Sequence, residues 1–317
     1  AGARRARVVC RALSERQQQF WEMLEEDLED DVVPEFGKTA LSRVYEFIEY
    51  CKGEKEIPPL ADQQEIDPEY FPGLRAQPWW DPEECGDWIE KVQEGLPYVQ
   101  GELADLLEED EAKLISDSVQ NNVMGGGWSG FRLQRLGDWL PKNCEQFPQT
   151  VQLLKESGVP LAMRGVIVAR QAPGSGVAPH SDGRNFFLTA HFGLSVPEDC
   201  DMTVAGKTKP WEEDGCIILD TSFMHSTRNE SEEDRFVLIV DFWHPDLSEA
   251  EREALEYIYD FRTKFEQGKI KYVPKMPTGF LETLQMYSAW GGAYTEESVE
   301  KRTSTQDDNL GGFRLGS

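Results

Sequence analysis

From about Met124 onward the chain abandons helical spacing for short runs of β-branched and aromatic residues, and this change restricts the fold more than any other feature. The segments MRGVIVARQ, NFFLTAHFGLSV, CDMTVAG, GCIILDTSF and RFVLIVDFW are bounded by Gly, Pro, Asp or Asn, with no helical run between them. Strands spaced this regularly predict an antiparallel sandwich or a jelly-roll barrel. Helical patterns flank this part. Ser14 to Lys55 carries Phe20, Leu24, Leu28, Leu41, Val44, Tyr45 and Ile48 at threes and fours, which predicts two amphipathic helices broken near VVPEFG. Glu90 to Leu114 is again largely helical in pattern, and SEAEREALEYIYDFRTKFEQG predicts a helix with Ser248 as N-cap and Glu251 as its capping-box partner. The intervening IPPLADQQEIDPEYFPGLRAQPWWDPEECGDW, rich in Pro and aromatics, predicts an ordered loop that covers something. From about Lys275 no period is visible, and an extended tail is expected, with its aromatics docking part of it on a surface.

Composition sets limits on function. With 317 residues, 39% of them hydrophobic, the chain can bury a full core in one large or two modest domains. A formal charge of −27 argues against a protein that clamps nucleic-acid phosphates or an anionic membrane, since both need concentrated Lys and Arg. The six cysteines (Cys10, Cys51, Cys85, Cys144, Cys200, Cys216) are scattered without a CxxC pair, so neither a zinc knuckle nor a disulfide scaffold is indicated. No apolar run approaches the roughly 20 residues that span a bilayer. The opening AGARRARVVCRA is basic and acid-free while the chain is strongly acidic from EMLEEDLEDD onward. That break reads as the end of an organellar transit peptide, or equally as a bland basic terminus.

All four histidines fall between His180 and His244, inside or at the end of the β-rich part. His180-Ser181-Asp182, then His225 forty-three residues after Asp182, then Arg235 ten residues later, gives the order H-x-D…H…R. Imidazole and carboxylate ligands on one face suit a non-heme Fe(II) with positions left open for an organic co-substrate and O2. An Arg on the following strand can point into the same cavity and grip a carboxylate bidentately. That is the logic of a 2-oxoglutarate-dependent oxygenase. Read alone, His191 could be a core histidine, Asp220 could orient a ligand histidine or cap a turn, and His244, before Pro245, reads as structural.

The stretches YFPGLRAQPWWDPEE, APHSDGRNFFLTAHFGLSVP and KPWEEDGCIILDTSFMHSTRNESEEDRFVLIVDFWHPDLSEAERE resemble the aspartyl/asparaginyl β-hydroxylase family, most closely plant and algal members. The resemblance runs from about Asp67 to Glu253. It implies a mainly β core, a double-stranded β-helix (jelly roll) with flanking α-helices at both ends. It implies Fe(II), 2-oxoglutarate as co-substrate and O2, with His180 and His225 as metal ligands. It also implies that Arg235 holds the distal carboxylate of 2-oxoglutarate and His191 contacts the carboxylate beside the keto group. The implied reaction is hydroxylation of a carbon, the β-carbon of Asp or Asn in a peptide or protein substrate. The first residues together with the plant likeness give the chloroplast stroma as the expected location, and the cytoplasm otherwise.

Three departures from the best-known animal members are visible. Asp182 stands where those have glycine and would complete a facial triad; capping of its loop is the competing role. Thr189 stands where they have Arg, and Ala169 where they have Ser. Asn185, Thr189 and His191 share one face of an alternating strand. Arg170 has parity opposite to Ala169 and is expected to face away, so Arg184, just after the metal pair, is the better candidate to meet a co-substrate or substrate carboxylate. The expected organisation is a transit-peptide remnant over 1–13, a helical extension over 14–66, the double-stranded β-helix domain over 67–247, a helix over 248–274 and the tail over 275–317. The helices and tail are open to a protein partner. Two other classes stay open, a catalytically silent barrel acting as a scaffold or assembly factor and a zinc-using cupin-like hydrolase.

Overall fold

The computed structural model describes residues 13–116, 127–270 and 272. The basic terminus before Leu13 and the expected tail lie outside the described residues. The helices are α1 (Glu15–Asp27), α2 (Val33–Phe36), α3 (Ser42–Lys52), α4 (Trp88–Glu94), α5 (Leu96–Ser116), α6 (Pro141–Cys144), α7 (Pro148–Ser157) and α8 (Glu249–Glu266). The strands are β1 (Trp79–Trp80), β2 (Trp128–Arg135), β3 (Asp138–Trp139), β4 (Leu161–Gln171), β5 (Ser175–His180), β6 (Phe187–Ser195), β7 (Cys200–Val204), β8 (Lys207–Pro210), β9 (Cys216–Leu219), β10 (His225–Asn229) and β11 (Arg235–Trp243).

The strands form a seven-stranded sheet ordered β1-β9-β6-β11-β4-β2-β3 and a four-stranded sheet ordered β5-β10-β7-β8, with every pairing antiparallel. From β4 to β11 the chain passes from one sheet to the other at every step except the β7–β8 hairpin, which is the winding of a double-stranded β-helix. Strand alternation then decides what lies where. Val166 and Val168 of β4 and Leu238 and Val240 of β11 face a helix layer with Trp88, Val92, Val99 and Leu103 of α4 and α5. Ile167, Ala169 and Val237 face the other way and meet Val177, Met202 and Val204 of the small sheet. Because both faces of the large sheet are covered, its central strands read as continuous apolar runs rather than as alternating ones.

Helices α1, α3 and α8 close one end of the barrel. Phe20, Leu24 and Leu28, Phe47 and Ile48 of α3, and Ala254, Leu255 and Ile258 of α8 share a core with Phe186, Phe187 and Trp243. Ser14 and Ser248 each open their helix with a full capping box, the latter as expected. The break near VVPEFG is a π-helical turn over Leu28–Val32 followed by Gly37. β2, β5, β8 and the short helices α6 and α7 escape the sequence pattern, since each is short or mixes polar and apolar residues.

The Pro-rich loop does cover something. Met224 donates its backbone N–H to the Gln63 carbonyl at 2.7 Å and Glu65 donates to Ser222 at 2.8 Å. Ile66 bridges Gly183, and the Gln64 side chain donates to Ser222 Oγ at 2.9 Å. A buried ion cluster anchors the same loop: Glu69 accepts from Arg262 at 2.6 Å, from the Tyr259 hydroxyl at 2.8 Å, and from Arg184 Nε. Burial pushes the Glu69 carboxyl up, but Arg262 and Arg184 outweigh it and hold it at about 2. Replacing Glu69 with Ala strands two buried guanidinium groups, and urea unfolding of Glu69→Ala is expected to show a loss of about 3–5 kcal/mol.

Candidate active site

β5 and β10 lie side by side in the small sheet in a register that sets His180 opposite His225. Their rings stand 4.2 Å apart between centroids. Each ring sends Nδ1 to a backbone carbonyl two residues upstream, His180 to Ala178 and His225 to Phe223, both at 2.9 Å. A carbonyl only accepts, so each Nδ1 carries the proton and each Nε2 presents a lone pair. Asp182 follows in a turn, its N–H donating to the Thr221 carbonyl at 2.9 Å and its Oδ1 lying 4.0 Å from His180 Nε2. One ligand atom from each of His180, Asp182 and His225 lies within 4.8 Å of the others. Burial lowers the His225 imidazole from its ordinary range, opposed in part by Asp182. Burial pushes the Asp182 carboxyl up, yet Arg164 and then His225 outweigh this and hold it well below the ordinary carboxylate range. Two imidazole lone pairs and an ionised carboxylate suit a divalent cation of the iron or zinc type.

The second feature is an orphaned charge. Arg235 opens β11 and is 1% exposed, and its Nε and Nη1 lack hydrogen-bond partners. The indole of Trp211 covers it at 4.3 Å. Burial pulls its guanidinium down to about 10, which leaves it charged at neutral pH. An unpaired buried cation is costly unless an anion joins it. His191 lies on β6 facing the same interior, stacked on Trp211 at 5.9 Å, with Nδ1 unpartnered. Burial and then Arg235 push its pKa well below the ordinary range, so it is a neutral ring.

The other expected residues are engaged elsewhere. Thr189 does face inward, but its hydroxyl donates to Asp241 Oδ1 at 2.6 Å, its cross-strand partner. Asn185 precedes β6 and clamps the covering loop, accepting from the Phe71 N–H at 2.9 Å and donating to the Phe71 carbonyl at 2.8 Å. Arg184 departs from expectation because Glu69 claims its guanidinium. Arg170 pairs with Asp234 at 2.7 Å, as its outward parity requires. His244 is fully buried, with Nε2 on the Arg75 carbonyl at 3.1 Å. Asp220 Oδ1 accepts from the Ser222 N–H at 2.8 Å, a turn-capping role. Sequence reasoning missed Arg164 and Asp241 beside the triad, and Trp211 over Arg235.

Residues 93–245 match the sequence model of the family described as Aspartyl/Asparaginyl beta-hydroxylase. This segment belongs to the aspartyl/asparaginyl β-hydroxylase family. The chain is 34% identical over 171 residues to the mouse protein named Aspartyl/asparaginyl beta-hydroxylase, covering 52% of this chain and 23% of that protein. The human protein of the same name is 31% identical, with 22% of it covered. Human Aspartate beta-hydroxylase domain-containing protein 2 is 30% identical over 118 residues, 36% of this chain and 32% of that one. The chain thus spans under a quarter of the length of the first two relatives. Among solved structures, a 2OG-Fe(II) oxygenase family oxidoreductase from Burkholderia pseudomallei superposes at a TM-score of 0.28 with 12% identity, over 38% of this chain and 68% of its own. The β-hydroxylase segment holds all three triad residues and Arg235, while the strap at Gln63–Ile66 and helix α8 that brace them lie outside it.

One acid inside this β-hydroxylase segment gives a pH test. Asp220 is fully buried with Oδ2 unpartnered, and burial raises its carboxyl to about 7. An acid whose folded pKa is raised ionises first in the unfolded chain, so stability falls as pH rises from the ordinary 3.8 toward 7. Asp220→Asn removes this contribution. Its stability relative to the parent is expected to rise across that window by roughly 3–4 kcal/mol at most, measured as the difference in urea unfolding from pH 4.5 to 8.

Proposed function

We propose that this chain is an Fe(II)- and 2-oxoglutarate-dependent oxygenase that hydroxylates the β-carbon of an Asp or Asn residue in a peptide or protein. The observation that carries this reading is the pair of features between the same two sheets: a His180-Asp182-His225 donor set and a buried Arg235 with unpartnered Nε and Nη1. A zinc hydrolase needs the first feature and has no use for the second, and a scaffold needs neither. The names of the relatives support the Asp or Asn substrate class.

His180, Asp182 and His225 would hold Fe(II), which with 2-oxoglutarate and O2 supplies the oxidising chemistry when bound. The residues of the chain position and shield. The Nδ1–H bonds of His180 and His225 to carbonyls keep both imidazoles oriented. Arg235 offers two free donors to a carboxylate, and Trp211 keeps water from them. His191, a neutral ring, can donate one hydrogen bond to a second carboxylate of the same molecule.

His180→Ala and His225→Ala are expected to abolish Fe(II)-dependent succinate release from 2-oxoglutarate with circular dichroism unchanged. Turnover retained in both would end the reading. A charge-assisted carboxylate pair is worth about 1.5–3 kcal/mol, so Arg235→Met is expected to weaken 2-oxoglutarate binding by about one to two orders of magnitude. Arg235→Lys restores only part of it, since an ammonium lacks the planar fork. Equal 2-oxoglutarate affinity in Arg235→Met and the parent would sink the pocket assignment. Mass spectrometry of an Asp- and Asn-bearing peptide incubated with the enzyme, seeking one added oxygen, tests the substrate class.

A further inference from the structure

The sheet delivers one cation to the triad in a way that strand alternation forbids. Along β4, Val166 and Val168 face the helix layer while Ile167 and Ala169 face the barrel interior. By parity Arg164 belongs with Val166 and points away from the site. It does not: its Nη1 donates to Asp182 Oδ2 and lies 3.4 Å from Thr221 Oγ1, and its Nε lies 3.5 Å from Asp241 Oδ2. The cause is Gly165. Its φ is +104°, and a Cβ there would sit 2.1 Å from the Gln134 carbonyl oxygen. The register slips beside it on both sides, between Arg132 and Gln134 of β2 and between Val240 and Phe242 of β11. A glycine bulge of this kind re-aims the neighbouring side chain.

Resting on the metal-centre reading above, we propose that Arg164 is a positioning residue for the cation, holding Asp182 so that a single oxygen faces the imidazoles. A carboxylate on a short turn can rotate between two faces and offer either oxygen or both. The guanidinium pins Oδ2 from the β4 side, and the Asp182 N–H bond to Thr221 fixes the backbone. Oδ1 remains on the His180 side, 4.0 Å from its Nε2. Arg164 is itself fixed: Asp241 holds its Nε end and is held in turn by Thr189. The guanidinium that braces the site therefore comes from β4, two strands away from β6, and Thr189 serves as its outermost support. The ion pair has a second possible meaning, that Arg164 competes with a cation for Asp182, and the two differ in the sign of a measurable effect.

Mn(II) titration calorimetry on the parent, Arg164→Met, Arg164→Lys, Asp182→Ala and the Arg164→Met/Asp182→Ala double variant separates them. Arg164→Met is expected to weaken Mn(II) binding by roughly 10–100-fold. Arg164→Lys should recover part of the loss, because an ammonium can still hold one oxygen. In the Asp182→Ala background Arg164→Met should change the affinity by less than about twofold, since its effect passes through Asp182. Parent-like or tighter Mn(II) binding by Arg164→Met overturns the proposal and makes Arg164 a competitor. An equal loss with and without Asp182 also overturns it, by showing general damage to the fold. Absence of Mn(II) binding in the parent would instead remove the metal centre itself, and with it this role.

Discussion

The antiparallel register between β5 and β10 is the constraint on which the site depends. It places His180 directly across from His225, a pair separated by an entire turn of the chain through both sheets. Neither imidazole could reach the other within its own strand, and a slip of one residue would send one ring to the opposite face. The register is held by its surroundings. Val177 donates its N–H to Thr227 Oγ1 at 3.1 Å, β7 pairs with the other edge of β10, and the strap at Gln63–Ile66 seals the turns at the open end.

Around that pair the molecule separates two electrostatic environments. The triad side is rich in compensating charge, with Arg164 facing Asp182 and Asp241, and the acid at Asp182 is ionised despite burial. The Arg235 side is left uncompensated, a cation under an indole beside a neutral His191. A folded chain tolerates such an imbalance when the missing anion is supplied by a ligand. Arg184, Glu69, Arg262 and Tyr259 form a third ionic cluster, which is closed on itself and fastens the covering loop to α8. Helix α8 is thus part of what holds the turn after His180 in place.

The fold was largely legible because burial on both faces leaves a strong trace in β4, β6, β9 and β11, long apolar runs between turn residues. The H-x-D…H…R order was legible from residue types and spacing alone, although β5, which carries His180, left no strand pattern and Asp182 lies in a turn. Asn185 and Arg184 are engaged by partners that no local pattern reveals. Both sit in the turn between β5 and β6, where alternation no longer governs direction and the partners, Phe71 and Glu69, come from a loop more than a hundred residues earlier.

What the sequence determined by itself was the strands β4, β6, β7, β9 and β11 with their phase, and the order in which His180, Asp182, His225 and Arg235 follow one another. Period-two alternation is local physics, and a single strand carries it. Tertiary structure alone decided which charges meet. Arg164 has the wrong parity until Gly165 bulges, and at that bulge the backbone of β2 approaches so closely that a Cβ would sit 2.1 Å from the Gln134 carbonyl oxygen. Arg235 lies under Trp211, which follows the end of β8, and its Nε and Nη1 are left without partners. Contacts of this kind depend on distances between segments remote in sequence, and no local pattern encodes them.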